Sequence, residues 1–401
     1  MPLTARILKY NAPRNPEFVK LKYAGMRETI FRFYRGTAHI FNEDIPAKSF
    51  FLKSPHCWVT GDLHLENLGS YKADNRLAYF DMNDFDECIL APCLIDVARF
   101  ATSIFVAAEI MEVSVAEAKT LAHIFVETYS ETLSQGYIRM LEQETAQGII
   151  KALLDKVSQR KQKDILETRT YFKGEKQKLI IDNIHTIKAD KKTKERVAHC
   201  IHAWAEKRGE PNFYEVKDVA HRIAGTGSLG INRFIILVNG YGKKNGRYIL
   251  DMKQALPSSL HKRFAASQPG WENEAYRVVE VQKRVQSAHP ALLNVVEMEG
   301  VAYVLKEMQP LEDKIEIISL GNNMKNLEYL IRDFASLCAW GNLRSGGRQG
   351  SAIADDLIAF GKNSKEWKKE LLAYTFNYSK QVKKDYLAYC KAYDEGEFPV
   401  R

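Results

Sequence analysis

A chain of 401 residues, 45% apolar and 27% charged, has the composition of a folded globular protein and exceeds what one small core needs. No run of 18 apolar residues occurs and MPLTARILKYNAPRN lacks an apolar signal core, so neither a membrane span nor a cleaved signal peptide is expected, and the cytoplasm is the expected location. Most of the net charge of +8 lies between residues 151 and 210, where 16 Lys/Arg stand against 9 Asp/Glu. That excess reads as a solvated face or as a patch for a polyanion; no nucleic-acid module accompanies it, so nucleic acid is not an expected partner.

In chain order, region 16–45 holds one amphipathic helix and then the polar connection RGTAHIFNEDI. Residues 56–60 and 76–82 read as two strands, with acidic clusters between and after them. From about 94 to 208 the apolar spacing is helical. From Asn212 to Lys253 the pattern turns to strands separated by a Gly-rich turn and a YGKKNG hairpin loop, followed by a helix at about 272–288 and a strand pair around NVVEMEGVAYVLKEM. The last 75 residues are helical. This order predicts an α+β fold in which 212–310 is a small antiparallel β lobe inserted between 1–211 and 311–401, the two parts of a larger helical lobe. Cys57, Cys88, Cys93, Cys200, Cys338 and Cys390 show no CxxC spacing and read as buried free thiols rather than zinc ligands.

The chemistry is concentrated in two stretches. RIAGTGSLGINRFIILV spaces Gly225, Gly227 and Gly230 as G-x-G-x-x-G, with Ser228 inside. Such glycines admit phosphate oxygens to backbone N–H groups because no Cβ intervenes. The turn leads into a β-branched run instead of a helix, which argues against a dinucleotide fold and for a phosphate-covering loop between strands. That reading requires a lysine on the third strand, supplied by Lys253, and a carboxylate on the next helix to hold it. Glu280 is expected in that role, with Glu274 on the same helix.

The second stretch is WVTGDLHLENLGSYKADNRLAYFDMNDFDE, residues 58–87. Asp62 and Asn67 have D-x-x-x-x-N spacing, suited to an acid that takes a hydroxyl proton and an amide oxygen that ligates Mg²⁺. Asp84 is the expected second ligand, with Asp81 competing. Asp86 and Glu87 would bind a second ion or cap the following turn. Asp96 would anchor the Asp62 loop through backbone N–H groups, and His64 would donate to a backbone carbonyl. So many acids around one strand repel unless a cation sits among them.

GDLHLEN resembles the catalytic loop of aminoglycoside and choline kinases, of the protein-kinase-like superfamily. FRFYRGTAHIF, GDLHLENLG, FDMNDFDE, DVARFATS, GTGSLGINRFIILV, MKQALPS and RVVEVQKRVQ resemble, over about 30–290, a bacterial family known as domain of unknown function 2252. The resemblance implies a two-lobed kinase-like fold that is circularly permuted, because GDLHLEN precedes the glycine turn by some 160 residues. The helix around LEYLIRDFASLCAWGNLRSGG would then stand where the helix before the catalytic loop belongs. Thr60 replaces the expected His, and Arg35, in YRG, would contact phosphate or carboxylate.

The expected function is ATP- and Mg²⁺- (or Mn²⁺-) dependent phosphoryl transfer, or nucleotidyl transfer with the same groups, to a small molecule, a protein or a lipid headgroup; acceptor specificity would lie in 107–210. The alternative is a non-catalytic, pseudokinase-like nucleotide-binding scaffold. A metallophosphoesterase would need further His ligands that GNLRSGG and LGNN lack.

Overall fold

The computed structural model describes residues 1–242 and 245–399. Residues 243–244, the tip of the expected hairpin loop, lie outside them. The fold is mixed α+β.

The chain starts with four short helices, α1 (Leu3–Asn11), α2 (Pro16–Glu28), α3 (Ile30–Gly36) and α4 (Ala38–Asp44), where one helix followed by the polar connection 35–45 was expected within 16–45. The breaks have local causes. Thr29 is extended (φ −145°) and its hydroxyl accepts from Arg32 N–H, so it ends α2 and caps α3, while Asn15 caps α2. Caps of this kind stabilise a helix by about 1 kcal/mol.

Four strands follow: β1 (His56–Val59), β2 (Leu68–Lys72), β3 (Ala78–Met82) and β4 (Ile89–Pro92). β2 pairs with β3, and β1 with β4, giving two nested antiparallel ribbons. The inner hairpin brings residue 67, just before β2, beside residue 84, just after β3. Helix α5 (Leu94–Ala107) is buried almost all round, as its apolar sequence demands. Helix α6 (Val115–Gln135) opens with a Ser114–Glu117 capping box and stops at Gly136, whose φ is 69°.

After α7 (Gly148–Gln159) and α8 (Gln162–Arg169), the stretch expected to be helical breaks into β5 (Thr170–Lys173), β6 (Lys176–Leu179) and β7 (Thr186–Lys188) before α9 (Lys191–Lys207). Asp182 causes part of the break: one carboxylate oxygen accepts from the N–H groups of Ile184, His185 and Thr186, closing a turn that competes with helix. The remaining strands are β8 (Val216–Arg222), β9 (Arg233–Val238) and β10 (Tyr248–Gln254), then, past α10 (His261–Phe264) and α11 (Glu274–Val285), β11 (Asn294–Met298) and β12 (Val301–Glu307). They form a six-stranded antiparallel sheet in the order β11-β12-β10-β9-β8-β7. The sheet thus begins at Thr186, earlier than the expected 212.

Strand alternation divides this sheet. Val219, Phe234, Ile236, Leu250 and Met252 face α9 and pack on Val197 and Ile201. Ala220, Ile235, Leu237 and Ile249 face the other way, onto Leu166 and Leu179. By the same parity Arg233, Asp251, Lys253 and Lys306 leave the sheet on that second face. Helices α12 (Met324–Arg344), α13 (Ala354–Lys362) and α14 (Lys365–Asp394) close the chain, and their apolar residues join those of α1–α7 and β1–β4 in one large core. Among the described residues no helix is long and apolar enough to cross a membrane. All six cysteines are free, and five are buried.

Candidate functional site

The loop between β1 and β2 carries Asp62, and three contacts fix it. Asp96 on α5 accepts from Thr60 N–H at 2.6 Å, from the Thr60 hydroxyl at 3.0 Å and from Gly61 N–H at 2.9 Å. Gly61 has φ 76°, and a Cβ there would stand 2.2 Å from the Glu87 carbonyl oxygen, so only glycine fits. Asn67, buried, donates to the Asp62 carbonyl at 2.9 Å while its Oδ1 accepts from Asp84 N–H at 2.8 Å. One amide therefore ties the Asp62 loop to the turn after β3.

The carboxylate of Asp62 pairs with the guanidinium of Arg99, one turn along α5 from Asp96 and fully buried. Burial raises the Asp62 pKa to about 7 against the opposing charge and hydrogen bond of Arg99, and Glu87 and Asp84 add to the rise. Asp84 moves the other way. Burial works to raise it, but Lys253, Lys314 and Lys306 together hold it below the ordinary carboxylate range.

Lys253 pairs with Asp86 and stands 3.9 Å from Asp84. The Ser228 hydroxyl donates to Asp86 at 3.2 Å. Asp62, Asp84 and Asp86 thus share a cavity of about 240 Å³ with Gly227 and Ser228. A second space of about 70 Å³ adjoins it, lined by Lys253, Lys306, Lys314, Arg233 and Gly225. Arg35, Asp84, Asp86 and Ser228 line both. Gly225 and Gly230 have φ of 74° and 89°; Gly227 lies in a single 3₁₀ turn with ordinary φ.

Several expected positions fall elsewhere. Glu280 does not hold Lys253: it is partly exposed and pairs with Lys283 at 3.5 Å, while Val278 and Gln282 line the smaller space. Residues two apart on a helix point to opposite sides, which removes Glu280 once Val278 and Gln282 face inward. Asp81 is fully buried away from both spaces, accepting from Ser287 N–H at 3.1 Å and from Met82 N–H, and burial raises its pKa. His64 is an acceptor where a donor was expected, taking Glu66 N–H on Nδ1 at 3.2 Å; burial keeps it neutral. Glu87 accepts from Tyr10, Ser258 and Ser259 and so fastens the segment after β10. Arg35 pairs with Glu66 and has a buried Nε without a partner.

Among the described residues no three His, Cys, Asp or Glu side chains form a group able to hold a metal ion. Asp84 offers hard oxygen donors to both spaces, whereas buried Asn67 lines neither and its Oδ1 already accepts from Asp84 N–H; Mg²⁺ takes few donors from protein when phosphate and water supply the rest. Residues 14–392 match the model of a family described as "Uncharacterized protein conserved in bacteria (DUF2252)". The chain belongs to the DUF2252 family. No curated protein and no solved structure matches it.

Four features of this DUF2252 chain escape a linear reading. Arg99 sits in DVARFATS, at the i+3 position from Asp96 that shares its helix face. Lys306 and Arg233 share strand parity with Lys253. Lys314, after β12, is driven down to about 7 by burial, against Asp84 and with Arg35, Arg233 and Lys306 assisting. Finally, the N-terminal helices hold the glycine turn: Arg14 donates to the carbonyls of Gly227 at 2.7 Å and Leu229 at 3.0 Å, and Asn15 N–H donates to Gly230 O at 2.8 Å. In the basic segment 151–210, Arg160 pairs with Asp313, Arg169 with Glu312, Lys194 with Asp218 and Arg196 with Glu299.

Proposed function

We propose that this cavity binds a nucleotide triphosphate with a divalent cation and catalyses its transfer chemistry, as a cytoplasmic, kinase-like phosphotransferase on a circularly permuted, two-lobed protein-kinase-like fold. The supporting observation is the single cleft in which Asp62, Asp84 and Asp86 from one end of the chain meet Lys253 and the 225–230 turn from its middle. Asn67 and Asp84 are the residues that would hold Mg²⁺ or Mn²⁺, which supplies charge neutralisation on the phosphates. Lys253, freed from Asp86, would take phosphate oxygens. Asp62, kept in place by Asp96 and Arg99, would accept the proton of the acceptor. Most of the acceleration would come from positioning and electrostatics.

The Arg99 pair favours a second reading. The buried guanidinium already engages the Asp62 carboxylate and opposes the rise in basicity that burial causes, an arrangement that also suits a nucleotide-binding scaffold without turnover. Incubation with radiolabelled ATP, Mg²⁺ and a panel of hydroxyl compounds, proteins and lipid headgroups separates the two. The transferase reading expects label on one acceptor class and a loss of at least about 100-fold in Asp62→Asn. Mg–ATP binding with no transfer to any class establishes the scaffold.

A further inference from the structure

The two adjoining spaces differ in size and chemistry, and the difference orients the nucleotide. The smaller measures about 70 Å³. Its lining is ionic: Lys253, Lys306, Lys314 and Arg233 surround it, and Arg222 and Arg233 are both fixed on buried Asp251. A base placed there would desolvate those charges without replacing their partners. Phosphate oxygens, in contrast, match several ammonium and guanidinium donors at once.

The larger space, about 240 Å³, carries a broad apolar wall built by Pro13, Ala38, Ile231, Leu256 and Pro257, with Tyr10 stacked on His39 at 3.8 Å, whereas the smaller sets Phe85, Val278 and Val304 beside its cations. A mostly apolar chamber with a few convergent polar groups is the usual surrounding of a nucleoside-sized body. Asp62 lines this chamber, and Asp84 and Asp86 line both it and the lysine-lined space, marking the boundary between them.

Resting on the nucleotide reading above, we infer that the nucleoside occupies the Asp62 chamber, that the β- and γ-phosphates enter the lysine-lined space, and that the α-phosphorus at the junction is attacked. The reaction is then nucleotidyl transfer. The acceptor hydroxyl oxygen forms a bond to the α-phosphorus, the bond from that phosphorus to the bridging oxygen of the β-phosphate breaks, pyrophosphate leaves with the electron pair, and Asp62 takes the hydroxyl proton. Lys306 and Lys314 hold the leaving pyrophosphate.

Photo-crosslinking with 8-azido-ATP and Mg²⁺, followed by peptide mapping, tests the orientation without knowledge of the acceptor. Label on the peptides bearing Tyr10, Ile231 or Leu256 is expected. Label on Val304–Pro310 overturns the inference. In thermal shift, Ile231→Trp should lower ATP affinity at least tenfold yet leave stabilisation by Mg–tripolyphosphate unchanged; equal losses of both probes also overturn it. With an acceptor pool present, α-labelled ATP should deposit label and release pyrophosphate. Transfer of the γ-label would overturn this inference and keep the phosphotransferase reading, whereas absence of any wild-type shift with Mg–ATP would overturn both.

Discussion

Asp251 accepts from Arg222 at 2.7 Å and from Arg233 at 2.8 Å while 2% exposed, and the two guanidinium groups hold it ionised far below the usual carboxylate range in spite of its burial. Removing a buried charge from such a network leaves its partners uncompensated. Asp251→Ala should therefore cost about 3–5 kcal/mol of stability in urea unfolding; a loss below about 1 kcal/mol would mean the network is solvated in solution. Asp333 on α12 is the opposite case, a carboxyl raised to about 6 by burial alone. Its folded pKa lies above the unfolded value of 3.8, so the native state holds the proton longer. Its contribution is complete below pH 4 and is lost as pH rises through 6. Asp333→Asn should flatten the fall in stability between pH 4 and 7.5 and be the more stable protein at pH 7.5. A wild-type slope kept intact in the variant would contradict that assignment.

At the scale of elements, the β1–β4 and β2–β3 ribbons explain why the acidic stretch was readable. Asp62 and Asn67 are five residues apart in one loop, and a short hairpin brings Asp84 back to them, so local sequence suffices. Lys253, which the structure sets beside Asp84 and Asp86, could be singled out because strand, turn and strand succeed each other without interruption. Its carboxylate partner was not. Asp86 lies 167 residues away in sequence, and the choice of Glu280 failed because helical phase relative to the sheet is set by packing of Val278 and Gln282. Strands β5–β7 were hidden for a similar reason: they are three or four residues long, too short for alternation to declare itself. Gly61 tests the loop as an element. Gly61→Ala sets a Cβ against the Glu87 carbonyl at a positive φ and should cost about 1–3 kcal/mol or shift the loop. An unchanged melting temperature with unchanged ligand response would show that the Asp62 loop does not depend on that close approach.

At the scale of the whole molecule, the order of the chain and the order of the site differ. The acidic loops come from residues 60–87, the sheet face from 233–306, and the cover over the glycine turn from residues 10–22, so three distant segments build one cleft. The N-terminal cover could not be read from local pattern, since Arg14 and Asn15 meet carbonyls more than 200 residues ahead. The α+β class was legible from alternation of helical and strand patterns; the third face of the cleft was not. The claim that one ligand bridges the acidic loops and the sheet is tested most directly by calorimetric titration of Mg–ATP into wild type, Asp84→Ala and Lys253→Met. Saturable binding by wild type, weakened at least about tenfold in each variant (about 1.4 kcal/mol), is the predicted result. Absence of binding by wild type, or equal affinity in all three proteins, would contradict it.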